Sequence, residues 1–218
     1  MTEGIQYKDF WRFISLLHEN DLLQHLVVIG SWAEYLYAQS GILPGFTANL
    51  RTLDIDFLIK NMRRPIKSVN IASLAKEAGY IIDYDVMEGT TKIYTPDLME
   101  IEFIIEQKGK GDNPVIKTNL GVNSQALRHL SSLKNNSIVI KLFDFSISVP
   151  SPEAYVIHKI VINKERGIKA AKDKQAIIGL LPFIDKEKFK EICDHLTKKE
   201  QQEINNFLAN KNTRWDGI

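Results

Sequence analysis

The sequence predicts an α+β protein: a mixed β-sheet flanked by helices, followed by a small helical C-terminal region. Three observations carry this expectation. Short apolar or alternating runs, the signature of buried and half-buried strands, recur as far as Val149. Stretches of helical period lie between the earlier ones. After Pro150-Ser-Pro152 the alternation ends, and only helical patterns follow. An α/β domain over residues 1–150 and a helical C-terminal domain over 151–218 are therefore expected.

Each element has its own signal. Phe10, Phe13, Ile14, Leu16 and Leu17 recur at three- and four-residue spacing and predict an amphipathic helix over 7–19. Leu26-Val-Val-Ile29 is a short buried strand that closes on Gly30-Ser31, with a helix running from Trp32 to Gln39. Ser40 to Asn49, holding Gly41, Pro44 and Gly45, is a loop, and Thr52 to Ile59 alternates as a half-buried strand. A helix is expected from Ile66 to Gly79, then strands around 80–86, 91–95 and 98–106. Lys108 to Pro114 reads as a polar, glycine-rich loop, and 137–149 as two alternating runs. Ser151 as cap and Pro152 at the first helical position open four helices, over 152–164, 168–181, 186–196 and 198–210.

Composition narrows the function classes. A chain of 218 residues, 44% hydrophobic and 25% charged, can bury a sizeable core, which excludes a disordered chain. Its 28 basic and 27 acidic residues leave a net charge of +1, too little to hold long nucleic acid or an anionic bilayer by a global field. Cys193 is the single cysteine, which excludes an internal disulfide and a cysteine-rich zinc site. The longest apolar runs fall far short of the roughly 18 residues of a spanning helix. The beginning, Met1-Thr-Glu-Gly-Ile, has no signal or transit pattern. These features predict a cytoplasmic location and no membrane partner.

The chemistry concentrates in Thr52-Leu-Asp54-Ile-Asp56-Phe-Leu-Ile59. On a strand, Asp54 and Asp56 share one face, and Leu53, Ile55 and Phe57 take the other. Two adjacent carboxylates repel each other, and a divalent cation relieves that best. The competing reading is a solvent-facing edge strand. A second strand, Leu98-Met-Glu100-Ile-Glu102-Phe-Ile-Ile105, repeats the pattern, with Glu100 and Glu102 on one face. If the two strands are neighbours, the carboxylates form a patch able to hold metal ions for phosphoryl displacement. Gly30-Ser31, at a strand–turn–helix junction, offers a close backbone approach and a helix N-terminus to a phosphate.

In that order and in those strand contexts, Gly30-Ser31, Asp54-x-Asp56 and Ile101-Glu102-Phe103 resemble the nucleotidyltransferase superfamily, the polymerase-beta-like fold. Compact bacterial stand-alone members, including those of toxin–antitoxin and phage-defence systems, are the most similar. The resemblance covers residues 26–59 and 98–105, and more weakly 150–175. It implies a nucleotidyltransferase-like sheet and an enzyme that moves an NMP group from a nucleoside triphosphate to a hydroxyl acceptor, releasing pyrophosphate. It also implies Mg²⁺ or Mn²⁺ held by Asp54, Asp56 and Glu102, with Gly30 and Ser31 on the triphosphate. Glu102 would also help deprotonate the acceptor, and Glu100 competes with it for the third-carboxylate position. The acceptor stays open among a protein, a tRNA end and a small molecule. A binding protein with little turnover, one member of a protein pair, is the alternative.

Residues 157–174 form the most basic stretch, with Lys159, Lys164, Arg166, Lys169, Lys172 and Lys174 against Glu165 and Asp173. The resemblance places Lys159 on the nucleotide phosphates; a solvated helix face is the competing reading. Arg63, Arg64 and Lys67 read as a soluble turn, and His158 and His195 as core or surface histidines. Serine-hydrolase, P-loop and dinucleotide fingerprints are absent.

Overall fold

A computed structural model describes residues 4–48, 50, 52–87, 89–109 and 114–209. Residues 110–113 of the expected glycine-rich loop, and Asn210 at the expected end of the last helix, lie outside them. Helix α1 (Ile5–Glu19) leads into β1 (Leu26–Ile29), α2 (Ser31–Ser40) and β2 (Asp54–Ile59). Then follow α3 (Ile71–Glu77), β3 (Ile81–Tyr84), β4 (Thr91–Tyr94), β5 (Glu100–Glu106), β6 (Val115–Lys117) and β7 (Asn123–Leu127). After α4 (Ser131–Asn135), a hairpin of β8 (Ser137–Leu142) and β9 (Phe145–Pro150) precedes α5 (Pro152–Ile162), α6 (Ala170–Leu180), α7 (Lys186–Asp194) and α8 (Lys198–Leu208).

Among the described residues, seven strands form one mixed sheet in the order β1-β2-β5-β4-β3, with β7 and then β6 beside the C-terminal half of β5. β2 and β5 run parallel, and β1 and β4 flank them antiparallel. One face of the central strands is wholly apolar. Ile55, Phe57, Ile101 and Phe103 are buried there. Phe57 stacks on Phe103 with ring centroids 5.6 Å apart, and Phe13 of α1 packs on both. Burying side chains of this size contributes about 1.5–3 kcal/mol each, which is why the alternation fixes which face turns inward.

The opposite face changes character along its length. At one end it carries the carboxylates. At the other, Val27, Ile29 and Leu58 pack with Leu130 and Leu133 in a smaller apolar cluster. The C-terminal helices join the main core: Val156, Ile160, Ile177, Phe189 and Ile204 belong to the same buried cluster as the sheet. Ser151 caps α5 by accepting from the Ala154 amide at 3.3 Å, with Pro152 in the first turn as expected.

Two expectations are corrected. The helix expected from Ile66 is only Ile71–Glu77, because residues 61–70 are turns and bends containing Pro65, and Asn70 caps the helix by accepting from the Ser73 amide. Leu53 does not face the core. It precedes β2 and is 73% exposed.

Candidate active site

The site begins where β1 ends. Gly30 turns the chain at φ +67°, ψ −154°, a conformation essentially reserved for glycine. Space demands glycine as well, since a Cβ there would lie 2.8 Å from Asp56 Oδ2. Pairing of Ile29 with Asp56 across β1 and β2 sets this close approach. Gly30 supplies no side-chain cap, so the first amides of α2, beginning at Ser31, keep that end of the helix open to an anion. Trp32, the bulky residue after Gly-Ser, stacks on Phe10 at 4.1 Å, and its indole N–H donates to the Asp54 carbonyl at 2.9 Å. The ring thereby ties the turn to the start of β2. Gly30→Ala is expected to cost about 1–3 kcal/mol in backbone strain and to push Asp56 aside. Thermal melting checks the first effect and nucleotide binding the second; a Gly30→Ala chain that melts and binds like wild type would contradict both.

The register puts the acidic residues in a double row. Asp54 is opposite Glu100 and Asp56 opposite Glu102, on adjacent parallel strands and on one face. Burial pushes the Asp56 carboxyl up to about 7, with Asp54 and Glu102 adding like-charge repulsion, and Lys169 and Arg166 only partly opposing it. Burial and Glu100 also raise Glu102 above the ordinary carboxylate range. Thr52 donates its hydroxyl to Asp54 Oδ1. Lys92 of β4, opposite Glu102 in register, places Nζ 2.8 Å from Glu100 Oε1 and 3.6 Å from Glu102 Oε1. Its hydrogen bond to Glu100 is the main reason that its ammonium is held above the usual lysine range.

The donor chemistry at Asp54 and Asp56 fits a divalent cation: two same-face carboxylates, one of them short of compensating charge. The third position differs, because Lys92 stands at it. Among the described residues no three Asp, Glu, His or Cys side chains converge tightly enough to hold a metal ion.

Asp56 and Gly30 form part of the wall of a cleft of about 540 Å³. Arg128, His129, His158, Lys159, Arg166 and Lys199 also line it, with Glu165 the second acid, so the lining beyond Asp56 is mainly cationic. This volume lies within the usual range for small-ligand sites. Lys159 reaches the cleft, but its ammonium is already engaged: Nζ lies 2.6 Å from Asp173 Oδ1 and 5.0 Å from the centre of the Tyr155 ring. Arg166, which also lines the cleft, gives Nε to the other Asp173 oxygen at 2.8 Å. Of the residues expected from sequence, Gly30, Asp56 and Lys159 line the cleft. Asp54 and Glu102 flank Asp56, and Ser31 stands beside Gly30 without lining it.

His158 is more than the core or surface histidine expected. Its Nδ1–H donates to the His129 carbonyl at 2.8 Å, which leaves Nε2 as an acceptor on a residue that lines the cleft. Burial holds the ring neutral, with its pKa lowered to about 4. His129, at φ +63°, pairs through Nδ1 with Glu200 at 2.7 Å and so fixes α8 against the cleft. Glu200 also completes a capping box with Thr197, which explains why the helix starts there. Arg128, His129 and Lys199 carried no sequence signal, since they belong to a loop and to a distant helix.

A family model described as nucleotidyltransferase matches residues 8–198. Among solved structures, an antigenic nucleotidyltransferase-like protein from Paracoccidioides brasiliensis aligns with a TM-score of 0.58 at 17% identity, covering 93% of this chain and 88% of its own. The antibiotic-resistance factor ANT(2'')-Ia aligns with a TM-score of 0.52 at 13% identity, covering 94% of each chain. At such identities these likenesses show the fold alone. No curated protein matches the chain. The family match spans most of the sequence and includes every residue of the acidic row, the turn and the cationic lining except Lys199, and on that basis the chain belongs to the nucleotidyltransferase family.

Proposed function

We propose that the protein is a metal-dependent nucleotidyltransferase that moves an NMP group from a nucleoside triphosphate to a hydroxyl acceptor and releases pyrophosphate. One observation carries this reading: Asp56, buried beside Asp54 and Glu102 with too little positive charge to offset them, lines a cleft of about 540 Å³ that Arg128, Lys159, Arg166 and Lys199 line as well. Asp54 and Asp56 hold the cation, Mg²⁺ or Mn²⁺, which when bound supplies charge neutralisation at the reacting phosphate. Gly30 and Ser31 at the start of α2, with Arg166, Lys199 and Lys159 of the cleft lining, position the triphosphate. The acceptor oxygen bonds the α-phosphorus as the bond to the bridging oxygen breaks and pyrophosphate leaves. Glu102, made a stronger base by burial and by Glu100, draws off the hydroxyl proton.

Pyrophosphate release and Mg²⁺-dependent nucleotide binding, compared between wild type and Asp54→Ala/Asp56→Ala, test the proposal. Loss of both signals in the variant is expected, and indistinguishable behaviour overturns the assignment. A second reading, a nucleotide-binding member of a toxin–antitoxin or other protein pair with little turnover, is favoured by one observation: Lys92 engages the third carboxylate. Binding without pyrophosphate release, across acceptors drawn from a lysate, would select it.

A further inference from the structure

Three carboxylates across two strands would suffice for two shared ions if nothing else neutralised them. Here something does. Lys92 projects from β4 onto the same face, opposite Glu102 in register, and its ammonium lies between Glu100 and Glu102 at 2.8 and 3.6 Å. Its side chain is 22% exposed, and those of its partners Glu100 and Glu102 are 28% and 38% exposed. A second divalent ion bridging Asp56 and Glu102 would have to share the Glu102 head with this ammonium. Two cations drawn to one carboxylate head repel each other, and the repulsion weakens the binding of the second ion. The absence of a converging three-carboxylate group among the described residues agrees with this arrangement.

We propose that the site takes a single divalent cation, at Asp54 and Asp56, and that the Lys92 ammonium supplies the positive charge at Glu102 that a second ion would otherwise provide. The inference rests on the nucleotidyl-transfer reading and refines it. Glu102 is then a proton acceptor tuned by a fixed internal cation, and it is no longer an ion ligand. The charges support the assignment, since a divalent ion balances Asp54 and Asp56, and Lys92 offsets half of the Glu100–Glu102 pair.

The test counts Mn²⁺ bound to the full chain by equilibrium dialysis in saturating α,β-methylene nucleoside triphosphate, each of the four bases in turn. Electron paramagnetic resonance then reads whether bound ions are spin-coupled. Wild type is expected to bind one ion with an uncoupled spectrum. Lys92→Met is expected to bind two, with the spectrum of a coupled pair, and Lys92→Arg to return to one. Two coupled ions in wild type, or one in folded Lys92→Met, overturn the inference. Lys92→Gln replaces Lys92→Met if the latter fails to fold, with the same expectation. A wild type that binds no Mn²⁺ removes the nucleotidyl-transfer reading as well, whereas two ions in wild type leave that reading standing.

Discussion

Asp56→Asn is expected to lower pyrophosphate release by about 10²–10³-fold or more, the scale of losing a group that stabilises transition-state charge, while making the cation-free protein more stable at pH 8. The two effects share one cause. Burial, Asp54 and Glu102 raise the Asp56 carboxyl from 3.8 to about 7, so the folded chain holds that proton more tightly than the unfolded chain does. Below about pH 4 both states are protonated, and the group's contribution to stability is fully present. Between pH 4 and 7 the unfolded chain has lost the proton and the native chain keeps it, so stability falls as pH rises. Above 7 the carboxylate sits ionised beside two others. A shift of this size corresponds to about 4 kcal/mol, and water in the cleft screens it to about 1–2 kcal/mol at a partly exposed site. Asparagine removes the repulsion and keeps the shape. Mg²⁺ removes it by binding the ionised form, so wild-type ion affinity is expected to rise with pH up to about 7. Melting curves at pH 5 and 8, with and without Mg²⁺, check the stability half. An Asp56→Asn variant that melts below wild type at pH 8 without Mg²⁺, or that still releases pyrophosphate, would contradict the account.

The same face shows how far the sequence could be read. Alternation in Asp54–Ile59 and Glu100–Glu106 reveals both strands and their polar faces, because the period of two is a local property. Their pairing is not local. Two strands, β3 and β4, intervene in the chain, and the parallel register of Asp56 with Glu102 is set by which apolar residues stack on the other side. Lys92 illustrates the limit more sharply. In Thr91-Lys-Ile-Tyr94 it reads as an ordinary outward residue of a short strand, and only the antiparallel register of β4 on β5 brings it between two glutamates. β6, β7 and α4 carried no sequence signal at all, since Asn123-Ser-Gln-Ala-Leu127 has almost no apolar alternation and α4 is a single short turn of helix. In the basic run 157–174, most residues are solvated as a charge run usually is, but Arg166 and Lys159 converge on Asp173 from separate segments, a pairing that linear spacing does not announce.

Asp173→Ala is expected to be the most destabilising single change near the cleft, costing about 3–5 kcal/mol. Asp173 is 2% exposed and satisfies two cations at once, Lys159 of α5 at 2.6 Å and Arg166 at 2.8 Å. Burial alone would raise its pKa, but those two partners outweigh burial and hold it below the ordinary carboxylate range. Deleting the carboxylate strands an ammonium that is 8% exposed and lies over the Tyr155 ring, and this poorly compensated charge accounts for most of the loss. The pH signature has the opposite sign to that of Asp56: because the folded value is depressed, the stabilisation is present above about pH 4 and is lost as pH falls through the folded pKa. The acid limb of the stability curve should therefore flatten in Asp173→Asn. Function should decline separately, since Arg166, a lining residue of the cleft, loses the carboxylate that anchors it, raising the nucleotide dissociation constant. Pairing Asp173→Leu with Lys159→Met separates the two effects. An apolar pair of similar volume removes both buried charges, which restores most of the melting temperature, yet it leaves Arg166 unanchored and takes the Lys159 ammonium from the cleft, so nucleotide binding stays weak. Recovery of stability without recovery of binding is the expected outcome, measured by thermal melting and nucleotide titration on the same preparations. Full recovery of both would show that the buried triad only holds α5 against α6 and has no part in shaping the cationic lining.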